Sequence, residues 1–131
     1  MAVGAKRLLH GLRVRKTEDY VVGLNSRVNQ YREDHIIMID IDAVNPAVEA
    51  ILKPFGGILL KSGRGFHFIG RQVVSGLGEW RQKMKSLLRH KKLKVHVDKD
   101  HIEISLRRGY STLRVTSSPV KPTVPYFYKE I

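Results

Sequence analysis

His35-Ile36-Ile37-Met38-Ile39-Asp40-Ile41-Asp42 is the stretch on which the fold turns. From Ile36 to Ile41 it is a nearly continuous apolar run, the pattern of a strand buried on both faces. In a strand, side chains two apart share a face, so Asp40 and Asp42 project together. Two carboxylates at the end of an apolar strand are costly unless a cation compensates them. A divalent ion does this well, because Mg2+ takes one or two carboxylates and completes its shell with water and phosphate oxygens. A bare D-x-D is common, and a plain strand end or turn is its structural alternative.

Downstream of this strand, Asn45-Pro46 predicts a short helix to about Lys53, stopped by Pro54 and Gly56-Gly57. GILLKSGRGFHFIG, residues 57–70, then predicts two strands, Ile58–Lys61 and Gly65–Ile69, joined by a tight glycine turn. Trp80, Met84, Leu87 and Leu88 recur at helical spacing within Gly78–Arg89, with Arg81, Lys85 and Arg89 on the other side. Upstream, residues from Thr17 to about Arg32 read as a helix, with Thr17 as N-cap and Glu18 and Asp19 in the first turn. Lys94–Val97 reads as a short strand and Tyr110–Thr116 as another. Asp98–Arg108 fits either state, since Ile102 pairs with Leu106 at helical spacing and with Ile104 at strand spacing. Residues 117–131, with Pro119, Pro122 and Pro125, read as an irregular tail. The expected class is α+β, an α/β sandwich with a mixed β-sheet packed against helices, as one domain over residues 1–131. The order of strands is left open by this pattern.

Charge narrows the partners. The 24 Lys and Arg against 12 Asp and Glu give a net charge of +12, which favours a polyanion such as DNA, RNA or a nucleotide. Five basic residues and no acid fall in Met1–Thr17, and seven basic residues and no acid in Arg81–Lys94. Arg81, Lys85, Arg89, Lys91 and Lys92 are therefore candidate nucleic-acid contacts; a solvated face is the alternative. The absence of cysteine excludes disulfides, thiolate zinc sites and cysteine nucleophiles, and fits a reducing cytoplasm. No apolar run is long enough to span a bilayer, so no membrane partner is expected, and Met1–Lys16 lacks the pattern of a signal peptide. His10, His35, His90, His96 and His101 show no zinc-binding spacing.

Lys61-Ser62-Gly63-Arg64-Gly65-Phe66-His67 is the second chemical element. Two glycines let the backbone approach an anion closely, and successive amides in such a turn can form a phosphate nest. Ser62 adds a hydroxyl, Arg64 a bidentate phosphate donor, and His67 a ring nitrogen for phosphate or sugar. A glycine-rich hairpin carrying a partly buried histidine is the alternative, and the P-loop spacing is absent.

The ordered pair IIMIDID and SGRGFH resembles the archaeo-eukaryotic primase superfamily and its primase–polymerase members. Their first motif is an apolar strand ending in D-x-D, their second a Ser-Gly-x-Gly-x-His-like strand, their third an acid near a later strand. The resemblance implies a metal-dependent nucleotidyltransferase acting on a nucleoside triphosphate and a DNA or RNA template or primer. It implies that Asp40 and Asp42 hold Mg2+ or Mn2+, and that Ser62, Gly63, Arg64, Gly65 and His67 bind the triphosphate. For the third acid, VHVDKDHIE offers Asp98, Asp100 and Glu103, of which Asp98 follows the short apolar strand. Arg114, in TLRVT, resembles the family's late-strand arginine, with a structural salt bridge as its alternative; Lys121 is a weaker candidate. Characterised members carry further helical, zinc or partner-binding parts. The chain therefore suits a minimal catalytic core working with a partner protein, or a non-catalytic nucleic-acid-binding module within a larger replication or repair complex. A metal-dependent nuclease is a third reading. Among the aromatics, Phe66 and Trp80 lie within apolar periodicity, whereas Tyr126, Phe127 and Tyr128 beside Lys129 form the one aromatic–basic group expected at the surface.

Overall fold

The computed structural model describes residues 13–16, 20–29, 31–116 and 123–131. His10, Thr17, Glu18, Asp19 and Lys121, named above, lie outside the described residues.

The apolar run forms the inner strand β4 (Asp34–Ile41), and its isoleucines are buried because both of its faces are covered. Ile37, Ile39 and Ile41 pack with Leu59, Phe68, Trp80, Met84, Leu87 and Ile102, which places the helices on that side. Ile36 and Met38 point the other way, against Ile69, Leu113 and Leu24. The apolar run thus serves two cores at once, which explains why it does not alternate with polar residues.

Around β4 the chain builds β1 (Arg13–Lys16), β2 (Tyr20–Asn25), β3 (Arg27–Asn29), β5 (Gly57–Ser62), β6 (Gly65–Ser75), β7 (Thr112–Arg114) and β8 (Tyr126–Glu130). Three helices accompany them: α1 (Pro46–Leu52), α2 (Leu77–Arg89) and α3 (Lys99–Arg108). One sheet has the order β3-β4-β6-β5-β8 and a smaller one the order β1-β2-β7. The helices cover one face of the large sheet and the small sheet covers part of the other. The fold is α+β. Where the interleaving of elements suggested a mixed sheet, every strand pairing among the described residues is antiparallel.

Local chemistry accounts for the element ends. Asn45 Oδ1 accepts the Val48 amide at 2.9 Å and Pro46 occupies the first turn of α1. Asp98 caps α3 by accepting the His101 amide at 3.0 Å, and Gly109 closes it in the left-handed region at φ 84°. Trp80, fully buried on α2, donates from Nε1 to the Ile36 carbonyl at 3.1 Å and stacks on His35, ring centroids 4.9 Å apart.

Three stretches depart from the sequence expectation, and a fourth that it left open is decided. Residues 20–29 are strands and not a helix: Val21, Val22 and Val28 are β-branched, and Asn25 Oδ1 accepts the Arg27 amide at 2.9 Å, turning the chain between β2 and β3. Residues 91–96 form turns in which Leu93 is fully buried, and only Val97 pairs, in a single bridge with Ile41. Asp98–Arg108 resolves as helix, with Ile102 buried and Ile104 exposed. The tail ends not in irregular chain but in β8, which pairs with β5; residues 117–122 lie outside the described residues.

Candidate functional site

The antiparallel register decides which side chains meet. Asp40 pairs with His67, Leu60 pairs with His67 from the other side, and Ser62 pairs with Gly65. Directly paired residues share a face. Asp40, His67 and Ser62 therefore lie on the β4–β6–β5 face that carries Met38 and Ile69, beyond the edge of its apolar cluster, and Asp42 follows directly after the last paired residue of β4.

His67 Nδ1 lies 2.9 Å from Asp40 Oδ1. The imidazole is buried, with 4 % of its surface exposed, yet its Nε2 has no hydrogen-bond partner among the described residues. A buried ring nitrogen of this kind costs free energy unless something supplies a partner. Arg114 enters from β7: one of its terminal nitrogens donates to Ser62 Oγ at 3.3 Å, the other to the Thr123 carbonyl at 2.7 Å and to the Thr116 carbonyl. Partial burial lowers the pKa of Arg114, and the negative charge of Asp40 works against that shift. Acid and guanidinium thus sense one another across a face shared by both sequence motifs.

Glycine is required at two positions of the hairpin. Gly63 has φ 57°, a conformation that side-chain-bearing residues rarely adopt. At Gly65 a Cβ would fall 2.8 Å from the carbonyl oxygen of Ile41, the residue between Asp40 and Asp42. Arg64 is exposed at the tip.

Of the three acids offered for the later position, Asp98 comes to the site. Its amide donates to the Asp40 carbonyl at 2.9 Å, and the Asp42 amide donates to the His96 carbonyl at 2.6 Å. The Asp98 carboxylate is engaged as the cap of α3. Asp100 and Glu103 are exposed on α3, and Glu103 lies 3.8 Å from Lys99. Among the described residues, no three His, Asp or Glu are gathered so as to hold a metal ion. Asp40, half-buried, and Asp42, exposed, are hard carboxylates two residues apart, the donor type a Mg2+-type ion takes together with phosphate and water; they do not form a closed protein cage.

The basic candidates divide. Lys85 and Arg89 are exposed on α2, and Lys91 and Lys92 are exposed on the turn that runs to His96 beside Asp42. Arg81, expected among them, is turned onto α3 instead. Its Nε donates to the Leu106 carbonyl at 3.3 Å, satisfying an end-of-helix acceptor. His96 was not singled out from sequence. It sits opposite Asp42 with Nε2 3.2 Å from the Asn45 amide nitrogen, an arrangement with no local signal.

No curated protein and no solved structure matches the chain. A family model does: the AEP-like family, archaeo-eukaryotic primase 1D-like, over residues 5–125. That match takes in both motifs, the late acid and Arg114, and the chain therefore belongs to the archaeo-eukaryotic primase-like family.

Proposed function

We propose that the chain is a metal-dependent nucleotidyltransferase of the primase–polymerase type, joining a nucleoside triphosphate to a DNA or RNA strand. The observation that carries this reading is the 2.9 Å contact between Asp40 and His67, with Ser62 and Arg114 joined on the same face. An acidic edge and a phosphate-suited edge meet where a triphosphate needs both.

Asp40 and Asp42 would hold Mg2+ or Mn2+, which when bound lowers the pKa of an attacking hydroxyl and neutralises phosphate charge. Ser62, the amides of Gly63 and Gly65, and Arg64 would cradle the phosphates. Arg114, fixed by two carbonyls and Ser62, offers its charge in one orientation and so needs little reorganisation. His67, with Nδ1 engaged by Asp40, presents Nε2 to the bound nucleotide. Asp98 is the third acid in this scheme, brought opposite Asp40 by backbone pairing. Lys85, Arg89, Lys91 and Lys92 would grip the strand backbone, and the lack of cysteine suits work in a reducing cytoplasm.

The test is primer extension and unprimed synthesis with Mg2+ or Mn2+, for the wild type and Asp40→Ala, alongside calorimetry with a nucleoside triphosphate. Expected are metal-dependent product and triphosphate binding in the wild type, and loss of product in a folded Asp40→Ala protein. Nucleic-acid binding that ignores both metal and triphosphate would make the chain a binding module; strand degradation without triphosphate would make it a nuclease.

A further inference from the structure

The edge strand β8 exposes Tyr126, Phe127 and Tyr128 in succession, each more than half open to solvent. Being consecutive on a strand, they divide between its two faces. The register sorts them. Phe127 pairs with Leu60, and Leu60 pairs with His67, which pairs with Asp40. Phe127 therefore stands on the site's face of the sheet, about 14 Å from Asp40 across three interstrand spacings. Tyr126 pairs with Lys61 on the opposite face, where Tyr128 meets Phe66 edge-on at 5.0 Å and Lys61 lies 4.4 Å from the Phe66 ring.

We propose that Phe127 is a stacking platform for a base of an unpaired nucleic-acid strand lying across the sheet from the Asp40–His67 site to the β8 edge. An aromatic ring has a face for any base, so such a platform holds a strand without reading its sequence. The net charge of +12 and the exposed Arg64 on the adjoining hairpin supply the attraction for the backbone. Pairing of β8 with a second copy is the competing use of an exposed edge. It is opposed by the register shift between Leu59 and Leu60, which bends the edge, and by Lys129 upon it. The direction given to the strand rests on the proposed polymerising site. Stacking itself is measured without metal or triphosphate, so a chain that catalyses nothing still reports on it.

The experiment is fluorescence anisotropy of labelled oligo(dT) in EDTA over a salt series, with the wild type, Phe127→Ala, Phe127→Trp and Tyr126→Ala, each checked by circular dichroism and sedimentation. Losing one base stack weakens binding roughly 5- to 150-fold. Phe127→Ala is expected to show that loss at every salt concentration with an unchanged salt slope, because no phosphate contact is removed. Phe127→Trp keeps the affinity, and Tyr126→Ala, on the other face, stays within about twofold of the wild type. The proposal is overturned if the wild type does not bind, if Phe127→Ala binds as the wild type does, or if Tyr126→Ala loses as much. It is equally overturned if the wild type is a dimer that Phe127→Ala dissociates.

Discussion

Replacing Gly65 by alanine adds one methyl group where β6 begins beside the end of β4. The new Cβ would lie 2.8 Å from the Ile41 carbonyl oxygen, and ordinary contact begins at 3.4 Å, so one backbone must retreat by roughly half an ångström. The obstacle is main chain in a paired strand, not the end of a flexible side chain, so relief means parting β4 from β6. Overpacking of this kind costs about 1–3 kcal/mol. With an unfolding entropy of about 2.1 cal/mol/K per residue over 131 residues, that is a fall in Tm of about 4–11 °C. Two other glycines calibrate the effect. Gly63→Ala meets nothing within 4 Å but must hold φ 57°, for about 1–2 kcal/mol of strain. Gly78→Ala, in α2 with open space around it, should stabilise by about 0.4–1 kcal/mol through the unfolded chain. Thermal and urea denaturation of the three variants reads all of this. The packing argument is refuted if Gly65→Ala melts with the wild type or if Gly78→Ala falls as far as Gly65→Ala.

Burial lowers the pKa of His35 below the ordinary 6.5, outweighing its contact with Glu33, so the folded state favours the neutral ring. The stability this confers is complete above pH 6.5 and is lost as pH falls towards the depressed folded value. The wild type should therefore lose stability with a slope of at most about 1.4 kcal/mol per pH unit from this group, a component absent from His35→Gln in urea titrations between pH 7 and about 5. At the basic turn, Lys91→Ala with Lys92→Ala should reduce the slope of log affinity against log salt by about 1.4 for a single-stranded oligonucleotide, whereas Arg81→Ala should leave it unchanged.

Much of the framework is written in local pattern. The Ile36–Ile41 run, the Asn45-Pro46 start, the hairpin glycines and the Trp80–Met84–Leu87 spacing each have a cause within a few residues, and each became the expected element. What depends on distant partners was not readable. Thr17 with Glu18 and Asp19 imitates a helix start, while Val21 and Val22 belong to a strand whose neighbour β7 comes near the other end of the chain. β8 is a strand because β5 offers it an edge, and nothing in Tyr126–Glu130 announces that partner. The site divides in the same way. The residue types at Asp40, Ser62 and His67 were legible one motif at a time, whereas their placement on one face needed the β4–β6–β5 register. That Arg81 turns onto a carbonyl was not legible, because the carbonyl, Leu106, lies on another helix.

Arg114 is held by carbonyls on both sides of residues 117–122: Thr116 before them and Thr123 after. The last nine residues of the chain are thus wired to the guanidinium as well as to the sheet edge. Trimming what looks like a dispensable end would strip a strand from the sheet and unfasten the arginine in the same cut. Shortened versions of this protein are consequently poor witnesses to what the whole chain can do.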